Sequence, residues 1–377
     1  MKIIFVGGGT AGHINPAIAL AEYFKKTEPN CEILYVGAKG GMESRLVPEE
    51  RLKFEGITIS GFSRKISFEG LKKNLITLKN IIVACKESKQ ILKKFKPDIC
   101  IGTGGYVCGP LLKMAEKAGI PFIVHDSNSF PGLTTKLLAK KASKILLTNE
   151  KARKYLPKSL NNIEVTGTPV RGKINKISKE SAKQKLNIKN DAPVILSFGG
   201  SLGAKAINQV MAEFIIKNKN KNFNFIHGFG KSGHSFLQQL AENSIDLKNP
   251  RYIFREYIKN MDECLAAADL VICRAGATTL SELQLAEKPA ILIPSPNVAE
   301  NHQYHNALAL AEEHAASLIE EKNLSQETLR SEIKKILENN KEVANEYSRN
   351  LRRIAITDSC ERIYKIVKNI KNGGTLI

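Results

Sequence analysis

Short apolar runs alternate with longer amphipathic stretches along almost the whole chain. The first run, KIIFVG at residues 2–7, predicts a β-strand, and apolar positions at helical spacing over residues 14–26 predict the helix that follows. Such runs of Val, Ile and Leu, bounded by Gly or Pro, are typical of strands buried on both faces of a parallel sheet. Ten more follow: EILYVG, DICIG, PFIVHD, KILLTN and IEVTG, then PVILSFGG, FNFIHGFG, RYIFREY, LVICRAG and AILIPSP.

The series of strands is interrupted near residues 167–173 and then restarts. Helical segments such as INQVMAEFIIKN separate the strands, so the pattern predicts an α/β protein with doubly wound sheets. Each half has about six strands, the size of one Rossmann-like sheet. We therefore expect two Rossmann-like domains facing a cleft, at residues 1–166 and 167–349. A last helix, predicted over about 358–371, could pack on either domain.

The composition is that of a globular protein with a basic excess. Of the 377 residues, 42% are hydrophobic and 25% are charged. No window approaches the roughly 18 apolar residues of a membrane span, and the first residues do not form a signal peptide. We expect a protein that is soluble or attached to a membrane only at its surface. The net charge of +20 favours anionic partners, although a genome biased towards Lys and Asn explains it equally well.

A glycine-rich turn, VGGGTAGHINP, joins the first predicted strand to the first predicted helix. Its glycines fit G-x-G-x-x-G at Gly7, Gly9 and Gly12, and such a turn lets phosphate approach the free amides of a helix N-terminus. A dinucleotide-binding fold also requires an acid at the end of its second strand. Ala38 and Lys39 stand there instead, so the sequence favours another phosphate chemistry over nicotinamide or flavin binding.

Two further glycine turns follow strands in the second half of the chain. SFGGSLGAKAIN places its glycines at 199–203, and CRAGATTLSE places Gly276 before another helix. Together they indicate a diphosphate held by the second domain. Each turn taken alone could equally be a tight packing turn. In the last one, Thr279 and Glu282 form a T-x-x-E pattern, which predicts a helix capping box that needs no ligand.

Several polar side chains come directly after predicted strands. Because the carboxyl ends of parallel strands meet at one edge of a sheet, we expect these side chains at the ligand-binding edge. Each has an ordinary alternative role: a helix cap for the histidine, loop hydrogen bonds for the amides, a surface ion pair for the arginine. The signal therefore comes from the whole set: His13, Tyr106, His125, Asp126, Asn128, Arg171, Glu300, Asn301, His302 and Gln303.

The chain lacks the motifs of several common chemistries. It has no G-x-S-x-G turn, no H-E-x-x-H, no G-x-x-x-x-G-K-[ST] loop and no D-x-D pair. Its seven scattered cysteines include no C-x-x-C pair and so indicate neither a zinc nor a redox site. We expect no metal and no cofactor, with helix termini and hydroxyl groups neutralising a leaving diphosphate.

Seven motifs, in this order and spacing, resemble those of the MurG family of bacterial N-acetylglucosaminyltransferases, which convert lipid I to lipid II and belong to family 28 of the GT-B glycosyltransferases. They are GGGTAGHINP, GTGGYVCGP, HDSN, TPVR, FGGSLGAKAIN, CRAGATTLSE and NHQYHNA. The resemblance covers nearly the whole chain. It implies that the C-terminal domain holds UDP-GlcNAc and the N-terminal domain the lipid-linked acceptor. It also implies that residues from about 350 to 377 pack back on the N-terminal domain.

The resemblance assigns the donor to residues of both halves. Ser201 would hold the diphosphate together with the backbone around Ala277, Thr278 and Thr279. Glu282 would accept hydrogen bonds from ribose hydroxyls. The remaining implied donor contacts are Ile258, through its backbone, to uracil; Asn128, His302 and Gln303 to the sugar hydroxyls; and Thr10, Gly12 and Arg171.

On the acceptor side, the implied residues are Gly9, His13, Gly104, Gly105 and Tyr106. We expect a direct displacement with inversion, in which the C4 hydroxyl of the acceptor attacks C1 of UDP-α-GlcNAc and forms a β-1,4 bond. His13 is the candidate general base, since imidazole groups titrate near neutral pH. The first glycine turn would then serve the acceptor's diphosphate instead of a dinucleotide.

Residues 62–100 form a basic segment with ten Lys or Arg and three Asp or Glu, among which Leu, Ile and Val recur at near-helical spacing. A basic amphipathic surface can bind anionic lipid, although a solvated helix with its apolar face in the core has the same pattern. With a lipid-linked acceptor, we expect peripheral binding to the anionic cytoplasmic face of the cell membrane. Other cell-wall enzymes are further candidate partners.

Two other functions remain as alternatives at this stage. UDP-GlcNAc 2-epimerases share the two-domain architecture and would need neither an acceptor lipid nor a basic amphipathic segment. A glycolipid synthase that uses diacylglycerol is similar in the N-terminal loops. Nucleic-acid binding is not expected, because no aromatic stacking platform accompanies the basic residues.

Overall fold

The computed structural model describes residues 1–61, 67–171, 174, 177–200, 202–231 and 233–373. Within that part the chain forms two compact units. The first comprises Met1–Arg171 and Ile356–Ile377, and the second comprises Gly172–Ala355. The sequence pattern predicts boundaries after residue 166 and near residue 350, a few residues earlier in both places.

In the described part of the first unit, seven parallel strands form a sheet in the order β3-β2-β1-β4-β5-β6-β7. The first six follow the Rossmann order, and β7 extends the edge. The strands are β1 (Lys2–Val6), β2 (Glu32–Ala38), β3 (Lys53–Ile57), β4 (Ile99–Gly102), β5 (Phe122–Asp126), β6 (Lys144–Leu147) and β7 (Ile163–Val165). The helices are α1 (Ala11–Thr27), α2 (Glu43–Glu49), α3 (Phe68–Phe95), α4 (Cys108–Lys117) and α5 (Leu133–Leu138), followed by a 3₁₀ segment at Glu150–Tyr155.

The described part of the second unit has a six-stranded parallel sheet in the order β10-β9-β8-β11-β12-β13. Its strands are β8 (Val194–Phe198), β9 (Asn224–Gly228), β10 (Tyr252–Arg255), β11 (Leu270–Cys273), β12 (Ala290–Leu292) and β13 (Ser317–Leu318). Its helices are α6 (Lys179–Lys185), α7 (Lys205–Lys217), α8 (His234–Glu242), α9 (Met261–Ala267), α10 (Ala277–Ala286), α11 (His302–Ala311), α12 (Gln326–Leu337) and α13 (Glu342–Ile354). Short 3₁₀ segments lie at Ala299–Asn301, Glu321–Asn323 and Asn339–Lys341.

The apolar runs of the sequence form most of the strands of both sheets. All eleven predicted runs are strands in the structure, and β4 and β8 are buried along their whole length because helices cover both faces of each sheet. Two strands were not predicted. The edge strand β3, KFEGI, is largely part-exposed and mixes polar with apolar residues, and β13 has only two residues.

The last helix, α14 (Ser359–Lys371), returns to the first unit. Ile363 and Val367 are fully buried in the cluster that contains Phe24 of α1, and each such burial contributes roughly 1.5–3 kcal/mol. The Tyr364 hydroxyl donates to the carboxylate of Glu28 at 2.9 Å. Lys368 pairs with the same carboxylate, and this hydrogen bond lowers the pKa of Glu28.

Candidate active site

In the first unit, the glycine turn after β1 packs directly on the turn after β4. The Gly8 amide donates to the Gly104 carbonyl at 3.3 Å. A Cβ atom at Gly105 would lie only 2.3 Å from the Gly8 carbonyl oxygen, and Gly105 has a φ of +88°. No other residue fits there without displacing the neighbouring backbone. The predicted acceptor residues Gly9, Gly104 and Gly105 are thus brought together.

His13 lies in the first turn of α1, half-buried against this pair of turns. Its Nδ1 is 3.0 Å from the Gly8 carbonyl oxygen and 3.3 Å from the Thr10 hydroxyl. A carbonyl oxygen can only accept, so we assign the ring proton to Nδ1. Nε2 then keeps its lone pair on the side of the ring that faces Gly104, where an added Cβ would be 3.0 Å away. A general base requires such a free lone pair.

Tyr106 places its ring beside the same turn. A Cβ at Gly9 or at Gly61 would be 3.4 Å from the ring, and 40% of the side chain is exposed. Burial of the remainder raises the pKa of its hydroxyl, and the nearby Glu43 carboxyl adds to that rise. Tyr106 therefore combines an exposed apolar ring with a protonated hydroxyl beside His13's turn.

Glu43 was not identified from the sequence. It is fully buried at the start of α2, and its carboxylate accepts from the amides of Gly9 at 3.2 Å and of Ala38 at 2.8 Å. At the end of β2, where a dinucleotide-binding fold has an acid, the sequence has Ala38. The carboxylate beneath the glycine turn belongs instead to Glu43, five residues after Ala38. The G-x-G-x-x-G motif does not specify that spacing.

The loop after β5 is built on Asp126. Its carboxylate accepts from the Thr135 hydroxyl at 2.6 Å, from the Gly132 amide at 2.9 Å and from the Asn128 amide at 3.0 Å. Asn128 is thereby fixed in place beside the carboxyl end of the strand. His125 is fully buried, its Nε2 lies 2.9 Å from the Gly167 carbonyl, and burial lowers its pKa. It is therefore a neutral structural residue.

Arg171 and the first turn of α1 complete the predicted set in this unit. The Arg171 guanidinium contacts Glu50 at 2.7 Å and Glu22 at 3.4 Å. This is the ion pair that the sequence analysis kept as the ordinary alternative. Thr10 and Gly12 stand at the start of α1, where the first amides of a helix have no intrahelical acceptor.

In the second unit, the turn after β8 packs on the turn after β9. A Cβ at Gly203 would be 2.4 Å from the Phe229 carbonyl oxygen, and Gly203 has a φ of +85°. Tight packing is therefore sufficient to explain this glycine. Leu202, beside it, is 67% exposed. The predicted diphosphate ligand Ser201 lies outside the described residues.

A buried chain of hydrogen bonds behind this turn was also missed by the sequence analysis. The Asn208 amide donates to the Phe229 carbonyl at 2.9 Å, and its oxygen accepts from Nε2 of His227 at 3.1 Å. Nδ1 of His227 accepts from the Ser197 hydroxyl at 2.7 Å. Burial lowers the pKa of His227 to about 3, so the ring stays neutral. The chain fixes the carbonyl on which Gly203 packs.

Helix α10 begins at Ala277, with Gly276 at its N-cap and no side-chain cap. The predicted capping box of Thr279 and Glu282 is therefore wrong, because Thr279 is the third residue inside the helix. A T-x-x-E pattern caps a helix only when Thr precedes the first turn, and sequence locates helix ends poorly. The first amides of α10 have no intrahelical acceptor. The buried hydroxyl of Thr278 also lacks a hydrogen-bond partner in the described part of the chain.

Glu282 lies one helical turn after Thr278, on the same face of α10. Burial raises the pKa of Glu282 to about 7. No described residue donates a hydrogen bond to it or forms an ion pair with it. A partly buried carboxyl group without a donor is uncommon in a folded protein. It indicates a position where a ligand supplies the donors.

Ile258 follows β10, with its side chain buried against Gly228. Its backbone amide and carbonyl make no hydrogen bond within the described residues. A peptide group with both positions open, at the carboxyl edge of the sheet, can recognise a planar ring that offers one donor and one acceptor. Uracil has such an edge.

The loop after β12 holds His302 and Gln303 at the start of α11. The Gln303 side-chain oxygen accepts from the Ser295 amide at 2.9 Å, which directs its NH₂ group to other partners. Glu300 and Asn301 precede the helix with φ of +50° and +49°.

The loops that follow β10, β11 and β12 thus carry the described donor residues predicted for the second unit, at one edge of its sheet. They present helix amides, a free hydroxyl and a carboxyl group. In the part of the chain that the structure describes, no cluster of His, Cys, Asp and Glu is suited to a metal ion. The arrangement can bind an anionic diphosphate and hydroxyl groups next to it.

The fold matches that of a solved glycosyltransferase. The chain is similar to the crystal structure of MurG from Acinetobacter baumannii, with a TM-score of 0.74 and 24% identity over 98% of this chain and 99% of that chain. At this identity the comparison establishes the architecture, which is the GT-B type with two Rossmann-like sheets. The predicted fold class is confirmed.

Sequence comparison places the chain more narrowly. Residues 3–147 match the glycosyltransferase family 28 N-terminal domain and residues 194–369 match the glycosyltransferase family 28 C-terminal domain. The "UDP-N-acetylglucosamine--N-acetylmuramyl-(pentapeptide) pyrophosphoryl-undecaprenol N-acetylglucosamine transferase" of Acetivibrio thermocellus is 42% identical over 98% of both chains. The enzyme with the same name from a Thermoanaerobacter species is 43% identical over 98% of this chain and all of its own. The chain belongs to glycosyltransferase family 28 and, within it, to the MurG family.

Proposed function

We propose that this enzyme transfers GlcNAc from UDP-GlcNAc to the C4 hydroxyl of MurNAc in lipid I and so makes lipid II for peptidoglycan. The substrates are those that the names of its full-length relatives print. The same family membership favours this hexosyltransferase over a 2-epimerase of similar fold.

One observation of the structure carries the proposal. The N-terminus of α10 has no side-chain cap, and the Thr278 hydroxyl and the Glu282 carboxyl, one turn apart, have no hydrogen-bond partner among the described residues. A diphosphate accepts hydrogen bonds from amides and a hydroxyl, whereas a ribose donates hydrogen bonds to a carboxylate. On UDP-GlcNAc the diphosphate is joined directly to the ribose. The α10 N-terminus with Thr278 could therefore bind the diphosphate while Glu282, one turn further along, binds the ribose.

The other donor contacts remain assigned by resemblance. Ile258 would bind uracil through its backbone. The diphosphate would also contact Ser201, and the sugar hydroxyls would contact Asn128, His302 and Gln303. For Arg171 a donor role requires exchange of its carboxylate partners. Thr10 and Gly12, with Ala277 and Thr279 of the second unit, would add backbone amides or hydroxyls.

In the proposed reaction, the C4 hydroxyl oxygen attacks C1 of the sugar while the bond from C1 to the diphosphate oxygen breaks. His13 Nε2 takes the hydroxyl proton, and UDP leaves with the bonding electrons, its charge met by helix amides. Gly9, Gly104, Gly105 and Tyr106 would face the acceptor. The amides of Gly8 and Gly9 are already used by protein acceptors.

The role of His13 is open to a direct test. His13→Ala should lower kcat by about 10²-fold or more if this imidazole is the base. KM for UDP-GlcNAc should change little, because the donor is proposed to bind mainly on the second unit. A near-normal kcat in the variant would exclude His13 as the base.

We further propose that α3 docks the enzyme on the cytoplasmic face of the membrane as a peripheral protein. Five large apolar side chains of α3 are at least half exposed, which a helix that only covers the core would not show: Leu71, Leu75, Ile76, Leu78 and Ile82. Lysines such as Lys72 and Lys79 lie among them. Among the described residues, no helix is long and apolar enough to cross a bilayer.

Other cell-wall enzymes could meet the protein at this surface. Residues 62–66 of the predicted segment lie outside the described residues.

The function is tested by measuring UDP release from UDP-GlcNAc with and without a lipid I analogue. Release that depends on the analogue, with a disaccharide product, supports the transferase. Conversion of UDP-GlcNAc alone to the manno sugar would identify a 2-epimerase instead. Sedimentation with anionic vesicles at low and high salt tests docking, and no binding at low salt would refute it.

A further inference from the structure

Packing alone does not explain why a carboxylate, that of Glu43, is buried beneath the first glycine turn. It is fully buried, yet it lies among glycines that leave room for its carboxylate: a Cβ at Gly8 would be 2.0 Å from its Oε1, and one at Gly41 would be 2.8 Å away. Oε1 accepts from the Ala38 amide at 2.8 Å, and Oε2 accepts from the Gly9 amide at 3.2 Å. The glycine turn is thus built around an internal carboxylate.

The peptide group that joins Gly8 to Gly9 connects this carboxylate to His13. Its N–H donates to Glu43, and its carbonyl oxygen, that of Gly8, lies 3.0 Å from His13 Nδ1. A hydrogen bond to a negative acceptor polarises a peptide group, and the carbonyl at its other end becomes a better acceptor. The carboxylate, the peptide and the imidazole therefore form one chain of hydrogen bonds that spans residues 34 positions apart.

We propose that Glu43 is a positioning residue that acts on His13 through the peptide group between Gly8 and Gly9. In serine proteases a carboxylate fixes the tautomer of the catalytic histidine by direct contact. Here one peptide group is inserted between the two. The chain holds the proton on Nδ1 and leaves Nε2 free to accept. The inference rests on the proposed function only in taking His13 as the base.

The test is Glu43→Gln, with Glu49→Gln as the matched control on the exposed side of the same helix. The glutamine has nearly the size of the glutamate but only one acceptor oxygen, so it cannot satisfy the amides of both Gly9 and Ala38. We expect kcat with a lipid I analogue to fall between about 10- and 100-fold, as for a displaced catalytic group. KM for UDP-GlcNAc should stay within about twofold of the parent.

A spectroscopic measurement separates this effect from simple loss of structure. In protein labelled with ¹⁵N-histidine, the signals of His13 are identified by their disappearance in His13→Gln. The parent should show the Nδ1–H tautomer, and Glu43→Gln should show a mixture of both tautomers. Glu49→Gln should match the parent in tautomer and in kcat.

Several results would overturn the inference. A parent protein with His13 in the Nε2–H tautomer would do so without any variant, and it remains decisive if Glu43→Gln does not fold. A folded Glu43→Gln protein that keeps the single tautomer would also do so, whatever its kcat. If His13→Ala keeps its activity, the base assignment fails, while the tautomer measurement still decides whether Glu43 orders the ring.

Discussion

Glu282 offers a demanding test of the donor site, because its carboxyl group is partly buried and has no hydrogen-bond or ion-pair partner among the described residues. Glu282→Gln keeps the size of the side chain and one acceptor oxygen, and it removes the charge. Two opposite effects should follow. The unliganded fold should become more stable, and UDP-GlcNAc should bind more weakly.

The stability effect can be worked from the pKa. Burial raises the pKa of Glu282 from 4.5 to about 7, so ionisation costs the fold at most about 3 kcal/mol, and less for the part of the group that water still reaches. Because the folded pKa lies above the unfolded value, this cost is absent below pH 4.5, grows up to pH 7 and is complete above it. Glu282→Gln should therefore raise the free energy of unfolding by about 1–3 kcal/mol at pH 8 and by little at pH 5.

The binding effect has the opposite sign. A hydrogen bond to a charged acceptor contributes about 1.5–3 kcal/mol, so the variant should raise the Kd for UDP-GlcNAc about tenfold or more at pH 8. In the parent, affinity should fall as the pH drops below 7, since protonation removes the charge that accepts from ribose. The variant should show no such fall.

Isothermal titration calorimetry with UDP-GlcNAc from pH 6 to 8.5 measures the affinity, and urea unfolding at pH 5 and pH 8 measures the stability. UDP-GlcNAc is the suitable ligand, because its diphosphate diester does not titrate in this range. Glu242→Gln, an exposed change in α8 of the same unit, is the control. A parent Kd that stays constant from pH 6 to pH 8 would refute the reasoning. So would a Glu282→Gln protein that is less stable at pH 8 and binds UDP-GlcNAc normally.

Three further changes test other parts of the molecule. Thr278→Val removes a buried hydroxyl without a partner, so thermal unfolding should show equal or higher stability while the Kd for UDP-GlcNAc rises about tenfold. Leu75→Glu should weaken sedimentation with anionic vesicles about tenfold, through lost burial and charge repulsion, whereas Leu247→Glu on the second unit should not. Gly105→Ala would bring a Cβ within 2.3 Å of the Gly8 oxygen, so the free energy of unfolding should fall by about 1–3 kcal/mol or more in urea titrations.

The elements that the sequence could predict are those whose burial is complete. The run VILSF of β8 is apolar throughout because helices cover both its faces, and this signal is local. The edge strand β3 has no such signal, since KFEGI is partly open to solvent. The helix of Thr279 and Glu282 was predicted, but its start was not. That start depends on the backbone of Gly276, which a T-x-x-E pattern does not report.

The parts of the site that sequence reasoning missed are contacts between distant residues. Glu43 meets Gly9 across 34 positions, and Ser197 meets His227 across 30. Neither carboxylate nor histidine belongs to a motif, so spacing gave no reason to pair them. The partners of Arg171 could not be predicted either, because Glu22 and Glu50 are distant in sequence and come within ion-pair distance only in the folded unit.

The two units use the same strand, glycine turn and helix in different ways, and this difference favours the second unit as the site of the nucleotide sugar. In the first unit, the amides of Gly8 and Gly9 are taken by a carbonyl and by the Glu43 carboxylate, which also places a negative charge beneath the turn. A diphosphate held against Gly8 and Gly9 would meet repulsion and find both amides already used, and this applies to the acceptor's diphosphate predicted at this turn as well as to that of a nucleotide. Helices α1 and α10 both begin without a side-chain cap, but α10 also carries a buried hydroxyl, Thr278, and a half-buried carboxyl group, Glu282, that have no hydrogen-bond partner among the described residues. Unsatisfied buried polar groups lower stability. A nucleotide sugar that supplies the missing partners would explain why Thr278 and Glu282 stand one turn apart on α10.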